Sequence, residues 1–279
     1  MENKTIPKHY KISVIGYGNV SYRLSIALKM CGHQLDYICG RDFHKASKLA
    51  YILNKPEYTI NQNNTTLSTD KYDDVLNSDV VIIAVSDNAI EIVSKELLAL
   101  SVNLKREPVV LHTSGSTPLS ILDGFEKKGV LYPMMTLSIT KPVDFSIVPF
   151  FLESSSELVS DVLVKICYSL NSEYRFVSSQ ERAKLHVAAV FVSNFVNYLI
   201  GLSYDISTPN HMFLMPLALE TIRKAFLYEH PALVQTGPAK RGDTDTIGKH
   251  IALLCDRPEH MEVYELLSRN IMNKNSKKE

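Results

Sequence analysis

The chain has 279 residues, 45% of them apolar, enough to bury a sizeable core in two domains. Lys plus Arg and Asp plus Glu each number 30, so the net charge is zero and no single-sign field is available to hold nucleic acid or an anionic membrane. No apolar run approaches the ~20 residues of a membrane span; the best, Val187 to Leu202, is interrupted by Ser193, Asn194 and Asn197. The start is polar and lacks the apolar segment of a secretory signal. Cys31, Cys39, Cys167 and Cys255 form no C-x-x-C pair, which predicts reduced thiols, no metal site and a cytoplasmic protein.

Lys11 to Ile15 favours a strand and runs into Gly16-Tyr17-Gly18-Asn19-Val20-Ser21, after which Val20, Leu24, Ala27 and Leu28 recur at helical spacing. Strand, tight turn, helix is the context in which G-x-G-x-x-G/A reads as a dinucleotide-binding turn. Gly16 permits the turn, Gly18 lets the backbone approach a pyrophosphate, and the amides that open the helix meet that anion. Ser21 stands where the pattern has a third Gly or Ala. Gly32 stops the helix, and Gln34 to Cys39 is the second strand. It ends without the carboxylate that bonds the ribose 2′-hydroxyl in NAD-preferring enzymes, while Arg41 just beyond suits a 2′-phosphate. Asp42 is either a helix N-cap or a partner of the 2′-hydroxyl; the plainer alternative is a solvated Arg41–Asp42 pair opening a helix from Phe43 to Leu53.

Residues 54–70 are polar and Asn/Thr-rich, a loop with a short strand at Tyr58-Thr59-Ile60. Asp79 to Val85 is a near-continuous apolar run, as expected for a central parallel strand buried on both faces. Val85 and Ser86 lie at its carboxyl end, on the ligand side of an open α/β sheet, and Asp87 reads as the N-cap of the next helix. Pro108 to Leu111 is a strand leading into His112-Thr113-Ser114-Gly115-Ser116-Thr117-Pro118. Thr117 and Pro118 have the form of an N-cap and a first helical residue. The cluster carries more hydroxyls than one cap uses, and the topology would turn it toward the nicotinamide end of a cofactor. Gly129 to Pro133 and Val148 to Leu152 are further strands. A composition shift at Ser154 to Ser156 divides the chain into residues 1–153 and 154–279.

The second part reads as mostly helical: Glu157 to Leu170, an edge strand at Glu173 to Val177, then one long helix from Gln180 to Tyr204. That helix is apolar on most of its circumference and is expected to be buried. At about 100° per residue, His186, Val190, Ser193, Asn197 and Gly201 share a face, Asn194 lies at its margin, and Lys184 projects to the opposite side. Such a polar stripe is either the wall of a wet site or a polar helix–helix contact. A helix from Met212 to Leu227 precedes Thr236-Gly237-Pro238-Ala239-Lys240-Arg241-Gly242-Asp243-Thr244-Asp245-Thr246. The glycines force a turn, Asp243 caps the next helix, and Thr246 and His250 share its face; an ordinary interhelix loop is the alternative. The tail from Asn273 is charged and expected to fray.

On these residues the chain resembles the Rossmann-like NADP oxidoreductase family whose helical C-terminal domain is of unknown function. The resemblance covers nearly the whole chain. It rests on Ile15 to Val20, His112 to Gly115, Gly129 to Pro133, Leu185-His186 with Ser193-Asn194, and above all Thr236 to Asp243 with Thr246 and His250. More distantly the chain is similar to pyrroline-5-carboxylate reductase, 6-phosphogluconate dehydrogenase-like enzymes and deazaflavin-dependent NADP reductases. It departs from them at Ser21 and at Met134-Met135, and Lys184 does not stand where the wider group's catalytic Lys would. The resemblance implies an α/β fold, with an N-terminal doubly wound parallel sheet and a C-terminal all-α domain of the 6-phosphogluconate dehydrogenase-like kind. It also implies a homodimer paired through the helical domains, and hydride transfer between NADP(H), with NAD less favoured, and a small carbonyl, hydroxyl or imine substrate.

Within that frame His186 is the expected general acid/base. Asn194 would orient a substrate oxygen, and Ser114 would bond the substrate or the carboxamide. Ser193, Arg241, Asp243, Thr246 and His250 are the candidate substrate contacts, Arg241 binding an acidic group or pairing with Asp243. Gly16, Tyr17, Gly18, Asn19, Val20, Arg41, Val85, Ser86, His112 and Thr113 are the candidate cofactor contacts. A non-catalytic NADP-binding or sensing module would use the same fold, as would an adenosylmethionine-dependent transferase, because fold does not decide function.

Overall fold

Strand β1 (Lys11–Ile15) leads through the glycine turn into helix α1 (Asn19–Met30), and β2 (Gln34–Cys39) returns parallel to β1. In this computed structural model residues 9–58, 64–102, 104, 106–228 and 230–276 are described. After α2 (Phe43–Leu53) the chain makes a 3₁₀ turn at Pro56–Tyr58, then β3 (Leu67–Thr69), a single turn α3 (Tyr72–Val75) and β4 (Val80–Ile83). The expected strand at 58–60 is therefore not formed at Tyr58, residues 59 and 60 lie outside the described residues, and the third strand comes at Leu67. Helix α4 (Asp87–Ser101) follows β4, then β5 (Val109–His112), β6 (Lys128–Pro133) and β7 (Phe150–Ser154). Helix α5 (Glu157–Ser169) and β8 (Tyr174–Phe176) complete the sheet.

The eight strands lie in the order β3-β2-β1-β4-β5-β6-β7-β8, parallel throughout except where β6 meets β7. The chain leaves β1 to one side for β2 and β3 and resumes on the other with β4. The carboxyl ends of β1 and β4 thus flank the point where the winding reverses, the usual ligand crevice of such sheets. Strand β4 shows why its sequence is apolar without alternation. Val80 and Ile82 enter one core with Val14, Leu24 and Leu111, while Val81 and Ile83 enter the other with Ile90, Val93 and Val110. Both faces are covered, so both registers must be apolar.

Three local expectations are corrected. The N-cap of α4 is Ser86; Asp87 is its first helical residue, and its carboxylate accepts from Ser116 Oγ at 2.6 Å. No α-helix follows Thr117-Pro118, only a 3₁₀ turn at Leu119–Leu122 after an extended Pro118. Thr117 caps no helix: Pro118 after it is extended, the Thr117 hydroxyl accepts from Ser114, and its carbonyl accepts from Arg182. The break near Ser154 is not where the molecule divides. α5 buries Val159, Leu163 and Ile166 in the β1/β2 core and β8 pairs with β7, so the first compact unit runs to Ser193 and the second begins at Asn194.

Helix α6 (Ser179–Val190) opens on a capping box formed by Ser178 and Glu181. The helical run continues through a π turn at Phe191–Phe195 into α7 (Val196–Ser207). Two expectations fail on this run. Ser179–Ser207 is 29 residues long and contains an 18-residue stretch with a mean hydropathy of 1.6, long and apolar enough by length and composition to cross a membrane. The interrupting Ser and Asn residues are too few to offset the Phe, Val, Leu and Ile around them. Nor is the run buried in the single chain: Phe191, Tyr198, Ile200 and Ile206 are all exposed.

The second unit adds a 3₁₀ turn at His211–Leu214, α8 (Met215–Leu227), a short α9 (Pro238–Arg241), α10 (Thr244–Leu253) and α11 (Pro258–Ser276). Arg257 donates to the Asp205 carbonyl at 2.8 Å, and His250 Nδ1 meets Tyr264 Oη at 2.8 Å, tying α11 to α7 and α10. The expected fraying from Asn273 is not found, since α11 continues to Ser276; residues 277–279 lie outside the described residues.

Candidate functional site

A cavity of about 440 Å³ opens at the winding reversal, lined by Gly16 to Val20, Gly40, Arg41, Tyr72, Ala84 to Ser86, Ile92 and Glu96 among others. Gly16 has φ +125°, and a side-chain carbon there would stand 2.2 Å from the Ala84 carbonyl oxygen, so the turn against β4 requires glycine. A carbon on Gly18 would meet nothing within 4 Å: the backbone there faces open space. Helix α1 has no side-chain N-cap and no acidic residue in its first turn, so its leading amides are free to meet an anion. Ser21 fills the third small position and is fully buried; its hydroxyl donates to the Gly16 carbonyl at 2.6 Å and locks the turn that the pattern's glycine would only permit.

At the lip, Arg41 lines the cavity and is exposed, whereas Asp42 is used locally. Asp42 accepts from the Lys45 amide at 3.1 Å and pairs with Lys45 Nζ at 3.3 Å, and the bond from that amide is the main cause holding its carboxyl below the usual range. Asp42 is thus the N-cap of α2. These residues fit a dinucleotide: an uncapped helix start for the pyrophosphate, a cation where a 2′-phosphate would lie, and apolar walls from Tyr72 and Ile92.

The loop after β5 is a compact polar knot. Ser114 Oγ accepts from the amides of Ser116 (3.2 Å) and Thr117 (3.0 Å) and donates to Thr117 Oγ1 (2.9 Å), so its hydroxyl is committed to the turn. His112 is fully buried; Nδ1 accepts from the Ser114 amide at 3.2 Å, and among the described residues Nε2 has no partner in good hydrogen-bond geometry, the Pro118 backbone acting on the ring only weakly. Burial, with the Arg182 guanidinium nearby, pushes its pKa down to about 3, so it is neutral and closed off. Neither His112 nor Thr113 is among the residues lining the cavity.

Behind this knot Arg182, fully buried on α6, pairs with Glu153 of β7 and donates to the Thr117 carbonyl at 2.6 Å. One turn further, His186 Nδ1 lies 3.0 Å from the Tyr132 hydroxyl at the carboxyl end of β6. Gly115 closes against both rings: a carbon on it would stand 2.6 Å from His186 Nδ1 and 2.7 Å from Tyr132 Cζ. Lys184 is exposed away from this group, beside Arg175 and Glu181.

The first unit therefore gathers Gly16 to Val20, Arg41, Val85 and Ser86 around one cavity and packs Ser114 and His186 on either side of Gly115. Ser193 donates to the Ala189 carbonyl at 2.7 Å, within its own helix. Asn194, Arg241, Asp243, Thr246 and His250 belong to the helical unit. There Gly242 takes a left-handed conformation, φ +68°, and Asp243 caps α10 through the Thr246 amide (3.0 Å) and hydroxyl (2.8 Å). These bonds, with Arg241 3.8 Å away, hold the Asp243 carboxyl below its usual range. Sequence reasoning missed Tyr132, Arg182 and Glu153. Only Tyr132 carried a signal, its place at the end of a strand. Among the described residues no group of three or more His, Cys, Asp or Glu side chains is placed to hold a metal ion.

Comparison with known proteins places these features. Residues 148–271 match the family described as a domain of unknown function, DUF2520. BF3122 of Bacteroides fragilis, a candidate NADP oxidoreductase, has a solved structure with 31% sequence identity and a TM-score of 0.82, over 96% of this chain and all of that one. Protein TM1727 of Thermotoga maritima is 20% identical with a TM-score of 0.65, covering 96% of this chain and 99% of its own. A reductive aminase of Aspergillus terreus, solved with NADPH and ethyl-5-oxohexanoate, shares the fold at 13% identity and a TM-score of 0.65, over 96% and 95% of the two chains. No curated protein matches by sequence.

Proposed function

This chain belongs to the Rossmann-like NADP oxidoreductase family, and on that premise we propose that it transfers a hydride between NADP(H) and a small carbonyl, hydroxyl or imine compound. The observation that carries the reading is the cavity at the winding reversal, with an uncapped helix start on one side and Arg41 at its lip. Bound there, the nicotinamide cofactor would supply the hydride. The chain's own residues do the rest. The leading amides of α1 hold the pyrophosphate, Arg41 holds the 2′-phosphate, and His186 exchanges a proton with the substrate oxygen or nitrogen. Ser114 serves by fixing the turn around Gly115, through the bonds its hydroxyl makes there. In the helical unit Arg241 is assigned to an acidic group of the substrate, with Asp243, Thr246 and His250 shaping its loop; Asn194 of the same unit, and Ser193 at the end of the first unit, are the remaining proposed substrate contacts.

Calorimetric titration tests the cofactor assignment. NADPH is expected to bind more tightly than NADH, and Arg41→Ala to weaken NADPH roughly ten- to a hundredfold, the value of one charge-assisted contact, with little effect on NADH. Equal affinities in the wild type, or an unaffected mutant, would sink it.

We assign the apolar face of α7 and α8 to a second copy of the chain. Phe213 is 82% exposed, Leu217 67% and Phe226 69%, more apolar surface than an isolated helical unit leaves in water. A bilayer suits it less well. The first turns of Ser179–Ser207 are fixed to the sheet by Arg182, and near its end the run carries the ionisable Asp205, whose carboxylate lies 3.7 Å from His260 of the same unit. Light scattering is expected to give twice the chain mass, and Leu217→Glu with Phe226→Glu to give the single mass. A wild-type monomer refutes the assignment.

A further inference from the structure

We propose that Tyr132 is the positioning residue of this site: its hydroxyl donates to His186 Nδ1 and so fixes the imidazole in the tautomer whose Nε2–H is the proton handed to the substrate. The inference rests on the reading of His186 given above and adds the group that sets its chemistry.

Three features of the geometry lead there. The Tyr132 oxygen lies 3.0 Å from His186 Nδ1, and the rings meet edge-on at 70° with centroids 5.9 Å apart. The pair is clamped by the loop backbone, since any side chain on Gly115 would collide with both rings at the bond itself. Finally, Arg182 anchors α6 one turn earlier to Glu153 and the Thr117 carbonyl, so the helix that carries His186 cannot rotate the ring away.

The direction of the bond follows from the donors and acceptors present. Among the described residues His186 is the hydrogen-bond partner of the Tyr132 hydroxyl. Burial raises the phenol's pKa, the Asp87 charge acts in the same sense, and the Arg182 guanidinium opposes both. The phenol therefore keeps its proton and needs an acceptor, and the Nδ1 lone pair is the one in reach. A neutral imidazole that accepts at Nδ1 must carry its hydrogen on Nε2. His186 Nε2 takes no partner from the described residues and is not among the buried unpaired atoms, so it is open to a ligand. His112 makes the contrast: it also accepts at Nδ1, but its Nε2 is sealed in the core.

The arrangement also supplies the proton in balance. A nicotinamide cofactor bound at the site would supply a hydride to the carbonyl carbon, and the electron pair released onto oxygen would take the proton from His186 Nε2. In the resting site the phenol is protonated; as that N–H bond breaks its proton moves to Nδ1, so the imidazole ends neutral and the phenol ends transiently as phenolate, disfavoured by burial and Asp87 and favoured by the nearby Arg182 guanidinium. A water molecule then gives a proton to Nε2 and leaves hydroxide to the bulk solvent, and the Nδ1 proton goes back to the phenolate oxygen. The substrate has gained one hydride and one proton, and the protein is restored.

The test is a long-range ¹H–¹⁵N spectrum of the full-length protein with labelled histidine, at alkaline pH, with His186→Gln to assign the signal. The wild type is expected to show a protonated Nε2 and a bare Nδ1 at His186, and Tyr132→Phe to show a mixture with Nδ1–H present. An Nδ1–H spectrum in the wild type, or an unchanged tautomer in Tyr132→Phe, overturns the proposal. The wild-type tautomer is read without Tyr132→Phe, so failure of that variant to fold leaves the first outcome decisive. In turnover, Tyr132→Phe is expected to lower kcat roughly tenfold, less than the ~10²-fold or more expected for loss of the positioned acid itself, with NADPH affinity and KM unchanged. A tautomer lost in Tyr132→Phe supports the pairing even if no substrate is turned over, in which case the oxidoreductase reading fails by itself. Hydride transfer by a protein whose His186 carries Nδ1–H overturns the pairing and leaves that reading standing.

Discussion

Replacing Arg182 by Met is expected to destabilise the first unit by about 3–5 kcal/mol, because breaking a buried ion pair leaves the other charge uncompensated. Arg182 is fully buried, and its guanidinium joins three elements that are distant in sequence: Glu153 on β7, the Thr117 carbonyl in the loop after β5, and its own helix α6. Glu153 also accepts from Ser179 Oγ at 2.8 Å, which in turn accepts from the Leu119 amide at 3.0 Å. Loss of the guanidinium strands a mostly buried carboxylate and leaves the Thr117 carbonyl without its donor. The double variant Arg182→Met with Glu153→Leu removes both charges and should recover most of the loss, since an apolar pair of similar volume often replaces a buried ion pair at little cost. Urea unfolding of wild type, both single variants and the double variant closes the cycle. A loss below about 1 kcal/mol for Arg182→Met, within the range of a surface pair, would show that the pair is solvated and structurally idle.

What the sequence made legible, and what it hid, follows from the range of the interactions. The glycine turn, the first two strands and α2 are local objects. Their residues answer to steric and capping rules a few positions long, and Asp42 caps α2 as one of its two readings required. The unbroken run of β4 announced burial on both faces for the same reason. The domain boundary was misplaced because Ser154 to Ser156 does end a segment, but only the β7–β8 pairing, set by residues 24 apart such as Phe150 and Tyr174, shows that the sheet continues beyond it. The long apolar helix was expected to be buried, and hydrophobicity cannot tell a surface covered by its own chain from one awaiting a partner. At the site, His186 was legible from its stripe, but the atoms that give it a defined role lie 54 and 71 residues away along the chain, at Tyr132 and Gly115. No periodicity links them. The Ser114 cluster was likewise legible as an excess of hydroxyls, though not as a knot that uses them internally.

His186→Ala is expected to lower turnover of any accepted carbonyl or imine by about 10²–10⁴-fold, the contribution of a positioned acid or base, while leaving NADPH affinity nearly unchanged. The separation follows from position. His186 is not among the residues lining the cavity that Gly16 to Val20 and Arg41 form, so its removal takes nothing from the cofactor. It is only half-buried, and its one bond within the described residues is to Tyr132; truncation costs the fold a solvated ring and one phenol contact, about 1 kcal/mol. If the stripe on α6 were instead a polar packing device, the same variant would lose thermal stability and bind cofactor poorly, and turnover would fall only in proportion to the folded fraction. Melting curves, NADPH titration and turnover on one preparation separate the two. A marked fall in the melting temperature with unchanged kcat per folded molecule would remove His186 from the chemistry and leave an NADP-binding module whose hydride acceptor, if any, draws its proton elsewhere.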